Sequence, residues 1–362
     1  MTYQLGNEEL DENIARLVGA ASDNDNADLI SEIVTTALKL HRDSPDRGEL
    51  KLINTALKEM RYSNLVFSTH RDIPKVTMFG SARTPNDHPD YVVAKRFASI
   101  MASDRGWDII TGAGPGIMAA GNEGAGFESS FGVNIRLPFE ASANEFVLPE
   151  KVINFKYFFT RKLGFVKESS AFALFPGGFG TMDEAFELLT LIQTGKSDLA
   201  PIVLVESNES TYWTRWNEFV VKELLEGGLI SSDDLSLYHM TSSPEEAAEH
   251  ICHFYSNYQS QRYVDGKLVL RLTAAPTPEQ LRDLNASFSD IIAEGEIEVI
   301  DATPQEIRDE DALDAQRVTF LFDRRHFGRL RQLLDQLNKY VETPQKVHPG
   351  RVFTEEQAER AW

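Results

Sequence analysis

From residue 75 onward the chain repeats one rhythm: a short, wholly apolar run, then a stretch with helical periodicity. The apolar runs are KVTMFGSA, WDIITGAGPG, FGVNIRLP, AFALFPGG and PIVLVE. Between and after them come YVVAKRFASIMASDRG, IMAAGNEGAG, FKYFFTRKLGFVKES, MDEAFELLTLIQTG, YWTRWNEFVVKELLEGG and PEEAAEHICHFYSNY, in which apolar residues recur three and four apart. Strands without a polar face have to be covered on both sides, and strand–helix alternation builds a parallel sheet. The expected fold class is α/β: a Rossmann-like, doubly wound parallel sheet over residues 74–260.

The flanks read differently. Residues 1–73 carry helical periodicity in ENIARLVGAA, LISEIVTTALKLHR and LKLINTALKEMRYSNLVF, and suit a helical cover or a dimer contact. Residues 261–342 give the order βαββα, which suits a small ferredoxin-like α+β domain with a regulatory role open to it, and a last strand is expected near GRVFT inside the tail 343–362. Within that domain, residues 294–314 hold nine acids and one base and are expected to form a solvated loop. Arg324, Arg325, His326, Arg329 and Arg331 lie close together and leave two readings open: an effector site for an anionic nucleotide, or ion pairs and solvated charge.

Charge and composition narrow the function. A formal net charge of −20 opposes binding to nucleic acid and to anionic membranes. No apolar run approaches the ~20 residues of a membrane helix. The N-terminus is polar and acidic rather than signal-like, and the single cysteine, Cys252, forbids an internal disulfide, so a cytoplasmic location is expected. The eight histidines form neither HExxH nor a Cys/His cluster, so no metal site is expected.

Three strand ends carry small residues: FGSA with Gly80 and Ser81, TGAGPG with Gly112 and Gly114, and PGGFGT with Gly177, Gly178, Gly180 and Thr181. Ligands of open parallel sheets bind outside the carboxyl ends of the strands. Glycine there lets amide groups approach an anion, and a following helix start adds its dipole. TGAGPG places Ile117 where a dinucleotide fingerprint needs glycine, and PGGFGT lacks the lysine of a P-loop. The loops therefore predict a phosphate cradle without NAD and without ATP hydrolysis.

Glu184 follows this cradle and has two readings. With Thr181 it fits the capping box T-x-x-E. Alternatively it faces the bound ligand as a catalytic carboxylate, with Glu187 one turn further on. Arg161 and Lys162 in FFTRKLGF are either solvated or, beside the glycine loops, anion ligands.

PGGFGTMDE over residues 176–184, with Arg161 and Lys162 about fifteen residues earlier, resembles the Lonely-guy family of nucleoside 5′-monophosphate phosphoribohydrolases, long mislabelled lysine decarboxylases. VTMFGSAR and TGAGPGIMAAGNEGA resemble the family's first two nucleotide loops, with Ala113 where glycine is usual, and NIRLPFEASANEF resembles a further segment of longer bacterial members. The likeness spans about residues 74–255. It implies hydrolysis of the N-glycosidic bond of AMP, a cytokinin riboside monophosphate or another nucleotide, to free base and ribose 5-phosphate. It implies Arg161 and Glu184 as catalytic residues, and Gly80, Ser81, Gly112, Gly114, Lys162, Gly177, Gly178, Gly180, Thr181 and Glu187 as substrate-binding ones. It implies no cofactor and a homodimer or larger assembly. Related Rossmann-like proteins bind molybdenum cofactor or signalling nucleotides without hydrolysing them, so a carrier role stays open.

Overall fold

The computed structural model describes residues 3–21, 26–43, 45–135 and 143–350. Contacts divide the chain into two units, residues 1–61 and 62–362. The first holds α1 (Glu8–Ala21), α2 (Ala27–Asp43) and most of α3 (Arg47–Phe67). The start of α3 is fixed by Asp46 and Glu49. The Glu49 amide donates to the Asp46 carboxylate and the Asp46 amide to the Glu49 carboxylate, each at 2.8 Å.

In the second unit seven strands form one parallel sheet. They are β1 (Lys75–Phe79), β2 (Asp108–Thr111), β3 (Ser130–Ile135), β4 (Val152–Phe155), β5 (Ala171–Leu174), β6 (Ile202–Val205) and β7 (Tyr238–Thr241). Their order is β4-β3-β2-β1-β5-β6-β7. The helices of this sheet are α4 (Pro89–Ser99), α5 (Ile117–Ala125), α6 (Phe158–Glu168), α7 (Phe179–Gln193), α8 (Tyr212–Phe219) and α9 (Pro244–Phe254). α4 packs against α5 and α9, while the Lys162–Glu187 pair joins α6 to α7 and the Phe186–Trp216 ring contact joins α7 to α8; the right-handed crossover rule for parallel sheets assigns these two groups to opposite faces. Strands β1, β2, β5 and β6 are buried along their whole length, as double coverage requires. The chain winds outward from β1 through β4, then crosses back to β5 beside β1. The order therefore reverses between β1 and β5, which is where such sheets bind ligands.

The expected Rossmann-like sheet is thus present, with two strands more than the apolar runs indicated. β4 and β7 are its edges and need only one neighbour. β7 is half-exposed throughout, and Asn154 of β4 faces outward.

A second, antiparallel sheet follows, with β8 (Tyr258–Val264), β9 (Lys267–Leu272), β10 (Ile292–Ile300) and β11 (Gln316–Phe322) in the order β10-β11-β9-β8. With it go α10 (Pro278–Ser287), α11 (Pro304–Arg308) and α12 (Phe327–Asn338). β8 precedes the expected βαββα series and fills the place beside β9. The strand expected near GRVFT lies outside the described residues, apart from Gly350.

The acidic segment 294–314 is not simply a solvated loop. It contains part of β10 and all of α11, and Glu306 within it is fully buried. Glu306 accepts from Arg271 Nε at 2.8 Å and from Arg317 Nε at 3.1 Å. Burial opposes its charge, yet bonds from Thr303 and Arg271 hold its carboxyl below the usual range. The clustered cations are also engaged. Arg329 pairs with Asp290, His326 with Asp323 and buried Arg331 with Asp335, while Arg324 stacks over Tyr263. These contacts engage four of the five clustered cations, and the fifth, Arg325, is exposed.

Candidate active site

At the β1/β5 reversal a cleft of about 690 Å³ opens outside the strand carboxyl ends. Gly80 and Ser81 enter it after β1, Gly112 after β2, and Gly177, Gly178, Gly180 and Thr181 after β5. Backbone bonds tie the loops together: Ser81 N–H donates to the Pro176 carbonyl at 3.0 Å and Ile117 N–H to that of Ser81 at 3.0 Å. Glycine is required where the loops meet. A Cβ on Gly177 would lie 2.0 Å from Thr181 Oγ1, and one on Gly80 2.5 Å from the Ile117 side chain.

α7 begins at Phe179, earlier than the helical pattern from Met182 suggested, and Gly178 is its N-cap with no side-chain cap bond. Thr181 therefore lies inside the first turn, and the capping-box reading of Thr181 and Glu184 does not hold. The first bond at this end is donated by Met182 N–H to Gly178 O at 3.1 Å. The amides of Phe179, Gly180 and Thr181 precede it and are the groups a helix start offers to an anion.

Glu184 sits one turn into α7 and is only 7% exposed. Burial pushes its carboxyl up to about 7. Lys162 and Arg161 pull the other way, and Glu187 and Asp183 add to the rise. Such a group changes protonation near neutral pH, as a general base requires. Arg161 reaches the cleft from α6. Its Nε donates to the Val133 carbonyl at 2.9 Å, and its guanidinium lies 5.1 Å from the Phe165 ring centre. A Cβ on Gly112 would sit 2.5 Å from Arg161 Nη2, so that glycine makes room for the arginine.

Three expected binding residues stand apart from the cleft lining: Gly114, Lys162 and Glu187. The Gly114 carbonyl instead accepts from Asn144 Nδ2 at 3.0 Å, which braces the second loop from behind. Lys162 and Glu187 pair with each other at 2.6 Å. In NIRLPFEASANEF, residues 136–142 lie outside the described residues, while Asn144 is this brace. Ala113 adopts φ +58, a left-handed conformation that costs an L residue about 1–2 kcal/mol. Its methyl, buried with Val147 and Val152, offsets part of that cost.

Several lining residues had no signal of their own in the sequence. Tyr212, at the start of α8, donates its hydroxyl to the Gly177 carbonyl at 2.6 Å and so holds the glycine loop. Phe158 and Phe179 stand at the rim, Phe179 being 96% exposed. Arg83 lines the cleft too, as the last residue of VTMFGSAR. A second cavity of about 250 Å³, walled by Phe172, Leu199, Tyr255 and Tyr258, borders the amino ends of β5 and β6. It lies at the wrong end of the sheet for the glycine loops. Among the described residues no group of three or more His, Cys, Asp or Glu forms a metal site, and no helix is long and apolar enough to cross a membrane.

Fold and cleft together define a Rossmann-like α/β unit with glycine loops and a buried carboxyl at its switch point. Residues 114–251 match the family model described as "Possible lysine decarboxylase". That is the older label of the Lonely-guy family, which this segment of the chain resembles. Similar solved structures include the molybdenum cofactor binding protein from the phototrophic bacterium Rippkaea orientalis, at 20% identity over 49% of this chain and 94% of that one, with TM-score 0.36. Another is the molybdenum cofactor carrier protein from Chlamydomonas reinhardtii, at 18% identity over 49% and 94%, with TM-score 0.34. No curated protein matches the chain.

Proposed function

We propose that the cleft hydrolyses the N-glycosidic bond of a nucleoside 5′-monophosphate, giving a free base and ribose 5-phosphate. The observation that carries this reading is Glu184: a buried carboxyl with its pKa raised to about 7, one turn beyond the amides of a glycine loop. The amides of residues 179–181 and the helix dipole hold the phosphate. Phosphate is remote from the bond that breaks, so its binding energy fixes the ribose in place. Cleavage builds positive charge at the anomeric carbon. Ionised Glu184 stabilises that charge and takes a proton from the attacking water, while Arg161 steadies the phosphate or the departing base.

The exposed Phe158 and Phe179 at the rim of the cleft are the apolar surface that the implied dimer contact would cover. The one cysteine, buried and unpaired, fits a cytoplasmic site of action.

The test is incubation with AMP, GMP, CMP, UMP and isopentenyl-AMP, followed by chromatography. Free base and ribose 5-phosphate in equal amounts from at least one of them is the expected result. Tight binding with no base released from any would make the cleft a carrier site instead.

A further inference from the structure

Lys162 stands among three carboxylates of α7. Its Nζ is 2.6 Å from Glu187 Oε2, 2.9 Å from Asp183 Oδ2 and 3.9 Å from Glu184 Oε2. The first two are hydrogen-bond distances and the third is not. Residues 183, 184 and 187 crowd one side of the helix start, where three negative charges repel one another. The ammonium relieves that repulsion while spending its donors on Asp183 and Glu187. The oxygens of Glu184 are left to the cleft, which Lys162 itself does not line. Burial works against the charge on Lys162, but its bonds to Glu187 and Asp183 outweigh this and keep it above the ordinary lysine range. It therefore stays cationic across the whole range in which Glu184 titrates.

We propose that Lys162 is a positioning residue: Asp183 and Glu187 anchor its ammonium at a fixed distance from Glu184, where it sets the ionisation of that carboxylate without occupying it. This rests on the reading of Glu184 as the base of a hydrolase. The charged groups facing Glu184 are Lys162 and Arg161 from α6, and Asp183 and Glu187 from α7. Their effects have opposite signs. Loss of Lys162 removes an attraction for the ionised form, whereas loss of the charge on Glu187 removes a repulsion.

The test is a carbon-13 NMR titration of glutamate-labelled protein, with the Glu184 signal identified by its absence in Glu184→Gln, alongside the pH dependence of base release. In Lys162→Met the Glu184 midpoint is expected to rise by about 1–3 pH units, the range for an opposite charge at this separation. The acid limb of the rate profile should rise with it. Glu187→Gln should move both downward, and Lys162→Arg should restore the wild-type midpoint. A midpoint unmoved in folded Lys162→Met would overturn the proposal, as would shifts of the same sign in Lys162→Met and Glu187→Gln. If Lys162→Met does not fold, an upward shift in Glu187→Gln is equally decisive against it. NMR shifts of the expected signs without base release from any variant would uphold the charge relationship and refute the hydrolase reading.

Discussion

Glu184→Gln is expected to lower base release by about 10²–10⁴-fold, the share that a positioned general base contributes. The same change should stabilise the fold at pH 8. The Glu184 carboxyl titrates at about 7 in the folded chain, well above the ordinary glutamate value of about 4.3. A raised acid pKa gives stability that is present below the unfolded value and lost as pH rises through the folded one. At pH 8 the ionised, buried carboxylate is therefore a liability, and the neutral amide removes it. The expected gain is roughly 3–4 kcal/mol at pH 8, shrinking towards pH 5. Urea unfolding at the two pH values checks it. Loss of turnover together with lost stability would point to a structural role and against a catalytic one.

Gly177→Ala should lower kcat/KM for the nucleotide by about 100-fold, the penalty that a displacement near 1 Å can carry even away from the bond that breaks. The added Cβ would lie 2.0 Å from Thr181 Oγ1, 2.6 Å from Thr181 Cβ and 3.1 Å from the Ser81 amide nitrogen. Either Thr181 or the whole β1–β5 loop pair has to move, and the amide cradle moves with it. Gly178→Ala is the control, because a Cβ there meets no atom within 4 Å. Its loss should be much smaller and reports only obstruction of the ligand. Steady-state kinetics of the two variants against the wild type separates the effects. Equal losses would mean that the cradle does not depend on the close approach at Gly177.

The parts of this fold that were legible in the sequence are those where physics leaves little choice of residue. Strands β1, β2, β3, β5 and β6 had to be apolar on both faces, and their runs stand out. β4, β7 and β8 escaped notice because edge positions tolerate Asn154, His239 and Gln259. The glycines at 80, 112 and 177 were legible because backbone and side chains approach there too closely for a Cβ. The start of α7 was not, since Phe179 and Gly180 carry no helical pattern, and this made Thr181 look like a cap. The partners of Glu306 and Gly177 were invisible because they come from distant strands and helices: Arg271 and Arg317 for the first, Tyr212 for the second. Arg161 and Glu184 stood out through the family resemblance, but the burial that raises the carboxyl's pKa, and the contacts of Lys162 with its neighbours, required the packed helix pair.

The most direct test of the central claim is a crystal structure of Glu184→Gln soaked with AMP or with whichever monophosphate in the panel releases base on incubation with the wild-type protein. The account predicts the phosphate on the amides of residues 179–181, with the anomeric carbon of the ribose facing the side chain at 184 and the guanidinium of Arg161 against the nucleotide. A nucleotide bound in the second cavity, or one in the cleft with its sugar turned away from residue 184, would contradict it.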